Sequence, residues 1–169
     1  MDNPHDPGGV TAYGVSLRYA LETAKIRPEF RGFLDVDHDG TIDRRDIAGL
    51  TADAAADIYF NGWWKPGWYG GLTPALVAWK CFDIAVNTGP RRAAVLLQSA
   101  LCWIGVPLKI DGEVGPATLD AVQAQAERDQ GASLMAALRT EQADFYRRLA
   151  ATGPKLAVFL PGWLNRAAA

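Results

Sequence analysis

The sequence has few of the residues that mark specialised classes of protein. Among its 169 residues there are two cysteines and two histidines, and the formal net charge is −2. Two cysteines cannot form a disulfide framework, and a charge near zero argues against binding nucleic acid by neutralising its phosphates. No apolar run reaches the ~18 residues that a membrane-spanning helix requires. With 49% hydrophobic and 21% charged residues, the composition is that of an ordinary globular protein.

The two cysteines, Cys81 and Cys102, lie in apolar stretches. Unpaired cysteine behaves as a small buried hydrophobic residue, so we expect two thiols in the core rather than a disulfide. The first nine residues are polar and contain two prolines, unlike a secretory signal. We therefore expect synthesis in the cytoplasm without a signal peptide.

The spacing of apolar residues predicts a mainly α protein with at most a small hairpin. Helices are expected over residues 10–24, 46–59, 74–87, 91–104, 116–128, 134–151 and 155–160. The Gly-, Trp- and Pro-rich stretch 61–73 is predicted to be a loop, and 107–115 a short loop or a hairpin. The chain has no internal repeat and no low-complexity linker, and Thr-Gly-Pro at 88–90 is the candidate internal boundary.

The strongest local motif is an acidic loop of twelve residues, DVDHDGTIDRRD, at 35–46. It has the spacing of an EF-hand calcium loop, with Asp at the first, third and fifth positions and Gly at the sharp turn in the sixth. Its five Asp and two Arg give −3, which leaves +1 for the rest of the chain. The alternative interpretation is a solvated acidic turn. The pattern predicts a Ca²⁺ site whose ligands are Asp35, Asp37, Asp39, Thr41 through its carbonyl, Asp43 and Asp46.

Two details of this loop modify the prediction. Asp46 stands at the twelfth position, where calcium sensors usually have Glu, so with the shorter side chain the cage must close tighter or lose a ligand. The loop has no second copy beside it. We therefore expect the loop to stabilise the fold through the free energy of ion binding rather than to act as a paired sensor. We also expect Ile42 to point into the core.

Several segments, in one order, resemble motifs of a single family. They are NPHDPGGVTAYGV at 3–15, IYFNGWW at 58–64, FDIAVNTGP at 82–90, LQSAL at 97–101 and DGEVGPATL at 111–119. The family is glycoside hydrolase family 108, lysozyme-like N-acetylmuramidases of phages and prophages, and the segments after the first two resemble its accompanying peptidoglycan-binding part. The segments FYRR at 145–148 and GWLNR at 162–166 also fit. The resemblance covers most of the chain, with the acidic loop as an insertion.

The resemblance implies a mainly α, lysozyme-like fold. It also implies a muramidase-like part over 1–88, which includes the acidic loop, and a peptidoglycan-binding-like helical part over 89–169 packed on it. The implied activity is hydrolysis of the β-1,4 bond between N-acetylmuramic acid and N-acetylglucosamine in a phage or prophage endolysin. The acidic loop adds the prediction that Ca²⁺ stabilises or regulates this hydrolase. The implied partner is bacterial peptidoglycan in the periplasmic wall, without nucleic acid or a membrane span, and we expect a monomer.

Glycoside cleavage needs an acid for the leaving oxygen and a base or nucleophile on the opposite face. By resemblance, Asp6 assists charge development or activates water, and Thr11 positions that water. Asp before Pro-Gly-Gly is also a common turn builder. The family's catalytic Glu belongs to an EGGY motif that would align upstream of Met1, so the alternative function is a peptidoglycan-binding module without catalysis. A third is a calcium-stabilised interaction protein.

The predicted substrate-binding residues are Tyr13, Trp63, Trp64, Asp83 and Asn87. Flat aromatic rings suit sugar faces, but they also fill cores. We expect one of the two adjacent tryptophans to be buried and the other to line the cleft. Asp83 and Asn87 are four residues apart and share a helix face. The resemblance places Asn87 near the glycan groove, while its position before Thr-Gly-Pro equally suits a helix C-cap.

Overall fold

The computed structural model describes residues 10–169. The chain forms two compact units, Met1–Pro66 and Gly67–Ala169. The first unit contains a hairpin of β1 (Thr11–Ala12) and β2 (Val15–Ser16), followed by helices α1 (Leu17–Ile26), α2 (Arg31–Leu34), α3 (Arg44–Gly49) and α4 (Ala52–Tyr59). A 3-10 turn lies at Pro28–Phe30 and a π-helical turn at Phe60–Trp64.

The second unit begins with a 3-10 turn at Tyr69–Gly71 and is helical thereafter. Its helices are α5 (Ala75–Thr88), α6 (Pro90–Trp103), α7 (Pro116–Asp129), α8 (Ala132–Ala150), α9 (Pro154–Ala157) and α10 (Leu160–Ala168). The described residues are mainly helical with one small antiparallel sheet, which confirms the expected mainly α, lysozyme-like class. In this described part, no helix is both long and apolar enough to cross a bilayer.

The helix predicted from residue 10 is wrong for residues 10–16. There β1 pairs antiparallel with β2, with Thr11 opposite Ser16. Between the strands, Tyr13 and Gly14 have φ of 50° and 81°, which is typical of a type I′ hairpin turn. The Ser16 side chain accepts a hydrogen bond from the Tyr19 amide at 3.1 Å and so caps α1. The spacing of apolar residues therefore predicted a helix where the turn residues specify a hairpin.

Two other helix predictions need correction. The stretch 46–59 is two helices, because Leu50 and Thr51 leave the helical conformation and Thr51 caps α4 by accepting from the Ala54 amide at 3.2 Å. The predicted helix 155–160 is the short α9, and α10 was not predicted. Pro161 and Gly162 argue against a helix in the sequence, but proline is tolerated in the first turn of a helix. The remaining helices agree with prediction to within two residues at either end.

The core of the first unit lies beneath both the hairpin and the acidic loop. Its largest buried members are Val15, Phe30, Leu34, Ile42, Ile47 and Ile58. Ile42 is 6% exposed, which confirms the predicted apolar anchor of the acidic loop. Burying such a side chain contributes about 1.5–3 kcal/mol. The same core thus fixes the two segments that carry the predicted chemistry of this unit.

The core of the second unit lies between α5, α6 and α8. Its fully buried side chains include Ile84, Leu97, Leu101, Leu134 and Leu138. The Lys80 ammonium donates to the Arg166 and Ala167 carbonyls, both at 2.9 Å, and so fastens the last turn of α10 to α5. Both cysteines are unpaired, as predicted, but only Cys81 lies in the core, whereas Cys102 is partly exposed. Burial raises the pKa of the Cys81 thiol, which makes it unreactive.

Candidate functional site

The two predicted catalytic residues belong to the segment around the hairpin. Asp6 lies outside the described residues. Thr11 lies in β1 and is partly buried. Tyr13, at the turn, is 58% exposed, and its carbonyl accepts a hydrogen bond from the Tyr59 hydroxyl at 3.0 Å. The hairpin therefore presents an exposed aromatic ring two residues from Thr11, while the catalytic and sugar-binding roles stay predictions.

The hairpin turn is specified by close packing against α4. Gly14 has φ of 81°, a conformation that residues with a Cβ rarely adopt. A Cβ at this position would also lie 2.5 Å from the Tyr59 hydroxyl oxygen. Glycine is therefore required at position 14 for two reasons, the positive φ of the backbone and the close approach of the Tyr59 hydroxyl. The Tyr-Gly pair at 13–14 was the sequence signal for this turn.

The paired tryptophans lie in the π-helical turn after α4. Both are partly buried, so the prediction that one of them is fully buried is wrong. The Trp63 indole N–H donates to the Tyr19 hydroxyl at 2.9 Å, and the two rings stack with centroids 6.3 Å apart. The Arg27 guanidinium donates to the Gly62 carbonyl at 3.0 Å. These contacts fix the turn against α1, and the partly exposed tryptophans stay candidates for sugar binding.

Asp83 and Asn87 share a face of α5, as predicted. The Asn87 side-chain amide donates to the Asp83 carbonyl at 2.7 Å, and Asp83 Oδ1 accepts from Arg166 Nη1 at 2.9 Å. Asn87 is exposed and lies inside the last turn of α5, whereas Gly89, with φ of 90°, is the C-cap residue. The cap interpretation of Asn87 is therefore wrong, and Asp83 has an ion-pair partner that sequence reasoning missed.

Three carboxylates of the acidic loop converge. Asp35, Asp37 and Asp39 each offer an oxygen within 4.8 Å of the others. Asp35 Oδ2 accepts from the Gly40 amide at 3.0 Å. Asp35 Oδ1 is buried and has no hydrogen-bond partner among the described residues. A buried carboxylate oxygen without a donor is costly, so the donor set fits a hard cation bound by oxygen.

The last two acidic positions of the loop brace the backbone. Asp43 and Asp46 form a capping box at the start of α3. Asp46 is 1% exposed, and its carboxylate accepts from the Val36 amide at 2.6 Å and from the Asp43 amide at 2.7 Å. Its predicted role as a ligand stays a prediction. The bracing role was missed, although Asp three residues before Asp is a capping-box pattern.

Arg45 lies against the same loop. Its Nη2 donates to Asp39 Oδ2 at 2.5 Å and to Asp43 Oδ2 at 3.0 Å. The hydrogen bond from Arg45 holds the pKa of the Asp43 carboxyl below its ordinary value. The Thr41 amide donates to Asp39 Oδ1 at 2.8 Å, which fixes the position of the predicted carbonyl ligand. One arginine thus offsets part of the loop's negative charge from its outer side.

Gln98 links two of the family-like segments, a role that the sequence did not predict. It lies in α6 and is 2% exposed. Its Oε1 accepts from the Asp111 and Gly112 amides at 3.1 and 2.9 Å. Its Nε2 donates to Asp111 Oδ1 at 2.9 Å and to the Glu113 carbonyl at 3.0 Å. A glutamine inside an apolar helix was the available signal.

Known proteins resemble both parts of the chain. The sequence model of a family described as Glycosyl hydrolase 108 matches residues 1–89, and one described as Predicted Peptidoglycan domain matches residues 92–168. The first match therefore ends after α5, a helix that packs on α6 within the second compact unit.

A solved structure, that of SagA from Brucella abortus, has a TM-score of 0.68 and 27% identity over 99% of this chain and 80% of that chain. No curated protein sequence matches this chain significantly. The hydrolase match covers more than half of the residues, and the second match adds peptidoglycan as the partner. The chain belongs to the glycosyl hydrolase 108 family and is a glycoside hydrolase that acts on peptidoglycan.

Proposed function

We propose that this hydrolase is an N-acetylmuramidase of the phage or prophage endolysin type. It cleaves the β-1,4 bond between N-acetylmuramic acid and N-acetylglucosamine. The observation that supports this is the hairpin Thr11–Ser16, which directly follows the NPHDPGG segment and carries Thr11 beside the exposed ring of Tyr13. The contact of Tyr59 with the turn holds the hairpin in place. A hydroxyl on a hairpin strand and an exposed ring suit a water and a sugar face respectively.

The chemistry divides between an acid and an activated water. A threonine hydroxyl both donates and accepts hydrogen bonds, so Thr11 orients the attacking water while Asp6 accepts its proton. By the family resemblance, the acid that protonates the leaving oxygen is the Glu of an EGGY motif, which precedes the NPHDPGG segment. The partly exposed side chains of Trp63 and Trp64 provide further sugar-stacking surface.

The test is digestion of purified sacculi, with products identified by mass spectrometry after borohydride reduction. Two forms are assayed. One is the chain as it stands, and the other is extended at its N-terminus by the residues that the codons upstream of Met1 encode. An N-acetylmuramidase releases fragments with reducing N-acetylmuramic acid ends. Reducing N-acetylglucosamine ends from either form would show a different bond specificity. If both forms bind sacculi and release nothing, the chain is a binding module.

A substitution in the active form separates chemistry from folding. Thr11→Val keeps the β-branched shape and removes the hydroxyl. We expect kcat to fall about 100-fold or more, the range of a positioned proton-transfer group, and a thermal melt shows whether the fold is retained. Thr140→Val, on the exposed side of α8, is the matched control and is expected to retain full activity. Equal rates for both variants would remove Thr11 from the mechanism.

We also propose that the acidic loop binds Ca²⁺. The convergence of Asp35, Asp37 and Asp39 and the buried Asp35 Oδ1 support this. Those three carboxylates and the Thr41 carbonyl would hold the ion, with Asp43 and Asp46 as the remaining predicted ligands. Bound Ca²⁺ supplies positive charge to a loop that carries −3. Calorimetric titration with Ca²⁺ tests the proposal, and an equal response to Mg²⁺, which demands stricter octahedral geometry, would contradict calcium selectivity.

A further inference from the structure

The second unit contains a cleft of about 580 Å³ that the proposed chemistry does not use. It lies between α5, α8 and α10, whose contacts are internal to this unit. Among its lining residues are Leu76, Trp79, Asp83, Arg139 and Arg166. The Lys80 bonds to the end of α10 form part of its wall, so the cleft has a fixed shape rather than being a gap between loose elements.

One wall of the cleft is apolar and exposed. Trp79 is 58% exposed and Leu76 is 69% exposed. The two side chains come from the first turns of α5, and the Trp79 ring meets Phe82 edge-on at a centroid distance of 6.2 Å. The indole is thus held in orientation while much of its surface faces solvent. Rigid, exposed apolar side chains beside polar groups are typical of ligand-binding surfaces.

The charges of the cleft favour an anion. Three cationic side chains and two carboxylates line it, and both carboxylates have partners. Asp83 pairs with Arg166, while Asp129 accepts from the Ser133 amide at 3.1 Å and from the Ser133 hydroxyl. Hydrogen bonding from Ser133 lowers the pKa of Asp129.

The arginines have donors to spare. The Arg139 guanidinium donates to the Ala169 carbonyl at 2.9 Å. A guanidinium has five N–H donors, so Arg139, and Arg166 beyond its bond to Asp83, retain donors for a ligand. Paired donors on a planar guanidinium match the two oxygens of a carboxylate. The cleft therefore combines carboxylate recognition with an apolar wall.

We propose that this cleft binds the peptide stem of peptidoglycan. A stem carboxylate lies on Arg139 and Arg166, and an aliphatic stem side chain packs on Trp79 and Leu76. The inference rests on the proposed action on peptidoglycan and adds the part of the polymer that is recognised. The glycan strand is the less suitable occupant, because its lactyl carboxylate is used up in the amide bond to the stem, whereas the stem has free carboxylates.

The test is calorimetric titration of the full chain with two probes. One is the free stem tetrapeptide, and the other is glycan oligosaccharide stripped of stems by an amidase. We expect the tetrapeptide to bind, and its Kd to rise at least about tenfold in Arg139→Gln because a charge-assisted hydrogen bond is lost. Trp79→Ala, an exposed position, is expected to weaken the same binding. Arg148→Gln, also exposed on α8 but outside the cleft, is the matched control and leaves Kd unchanged.

Two results would overturn the proposal. One is tetrapeptide binding that is absent, or equal in wild type, Arg139→Gln and Trp79→Ala. The other is binding of the stripped glycan that weakens in Arg139→Gln and Trp79→Ala, which would assign the cleft to sugar. Sacculus digestion by the same preparations keeps the two proposals apart. Cleavage without tetrapeptide binding removes only the stem site, and tetrapeptide binding without cleavage removes only the muramidase activity.

Discussion

Two loops built around an Asp-Gly turn are closed in different ways. The loop at 111–115 is closed by the protein itself. The Gln98 side-chain amide accepts from the Asp111 and Gly112 amides and donates to the Asp111 carboxylate and the Glu113 carbonyl. The loop at 35–46 is closed only in part by the protein's own side chains. Asp46 braces its backbone from below, but Asp35, Asp37 and Asp39 converge with Arg45 as the cation bound at their edge.

The difference shows what a neutral side chain can and cannot replace. One amide bridges the backbone of the loop at 111–115, since it has donors and an acceptor on one planar group. The turn carboxylate of that loop, Asp111, also accepts from the Glu113 amide and lies 3.6 Å from the Lys109 ammonium. An amide cannot neutralise three carboxylates, whose mutual repulsion grows as they approach. A loop of the second kind needs positive charge from outside its own backbone. The following predictions test this comparison, from the largest expected effect to the smallest.

Replacing Gln98 should have the largest effect. Gln98→Leu keeps the volume but removes all bonds to Asp111, Gly112 and Glu113. Because the backbone groups of the turn lose buried partners, we expect the free energy of unfolding to fall by about 3–5 kcal/mol. Urea unfolding followed by circular dichroism measures the change, with and without Ca²⁺.

The control for Gln98 is Gln123→Leu, an exposed glutamine on α7 with one side-chain bond, to Glu127. It should change stability by less than about 0.5 kcal/mol. The loss in Gln98→Leu should also be the same in Ca²⁺ and in chelator, since this loop is closed without an ion. A loss that Ca²⁺ repairs would break the comparison.

Asp46→Ala should come next. It removes the acceptors of the Val36 and Asp43 amides and leaves a small cavity under the acidic loop. We expect a loss of about 2–4 kcal/mol, the cost of unpaired buried groups. Asp57→Ala, an exposed acid in α4 of the same unit, is the matched control. If Asp46→Ala costs no more than this control, the buried carboxylate is not the brace of the loop.

The sequence was sufficient for the parts of the fold that depend on local signals. Apolar periodicity placed α5 to α8 to within two residues, and the EF-hand spacing placed Ile42 in the core. It failed at the hairpin because residues 10–16 have an apolar spacing that a helix and a tight turn both permit. The positive φ of Tyr13 and Gly14 decided between them.

The site was less predictable because its key contacts join residues far apart in sequence. Gln98 and Asp111 are held together by the packing of α6 against its following loop, and nothing in either segment alone specifies the pairing. The same holds for Asp83 and Arg166, from α5 and α10. Motif spacing identified Asp83 as a candidate polar position, but only tertiary structure supplies its partner and the cleft that both line.

Calcium should stabilise the first unit by an intermediate amount. At a free Ca²⁺ concentration about 100 times Kd, binding to the folded state alone adds about 2.7 kcal/mol. Asp35→Asn keeps the shape of the side chain and should abolish most of this gain, and Asp57→Asn should keep it. The measurement is the melting temperature in Ca²⁺ and in chelator. A gain that persists in Asp35→Asn would place the ion elsewhere.

A smaller effect is expected from acid on the loop that Gln98 closes. The hydrogen bond from Gln98, followed by that from the Glu113 amide, holds the pKa of Asp111 below its ordinary 3.8. The associated stability is therefore present above pH 3.8 and is lost as the pH falls through the lower, folded pKa. Between about pH 5 and 2.5, the free energy of unfolding measured in urea should decrease less steeply with falling pH in Gln98→Leu than in the wild type. Parallel curves would mean that Gln98 does not set this titration.

The smallest change in stability should come from Arg45→Gln, and its sign should depend on the ion. In chelator, the loop loses the bridges to Asp39 and Asp43, and exposed ion pairs of this kind contribute little to stability. In Ca²⁺, the same substitution removes a cation that competes for Asp39 Oδ2. We therefore expect calorimetry to show tighter Ca²⁺ binding in Arg45→Gln, against no change in Arg18→Gln, whose partner is Glu22 on α1. Weaker binding would mean that Arg45 orders the ligands instead of competing with the ion, and the acidic loop would then resemble the loop at 111–115 in being closed chiefly by the protein's own side chains.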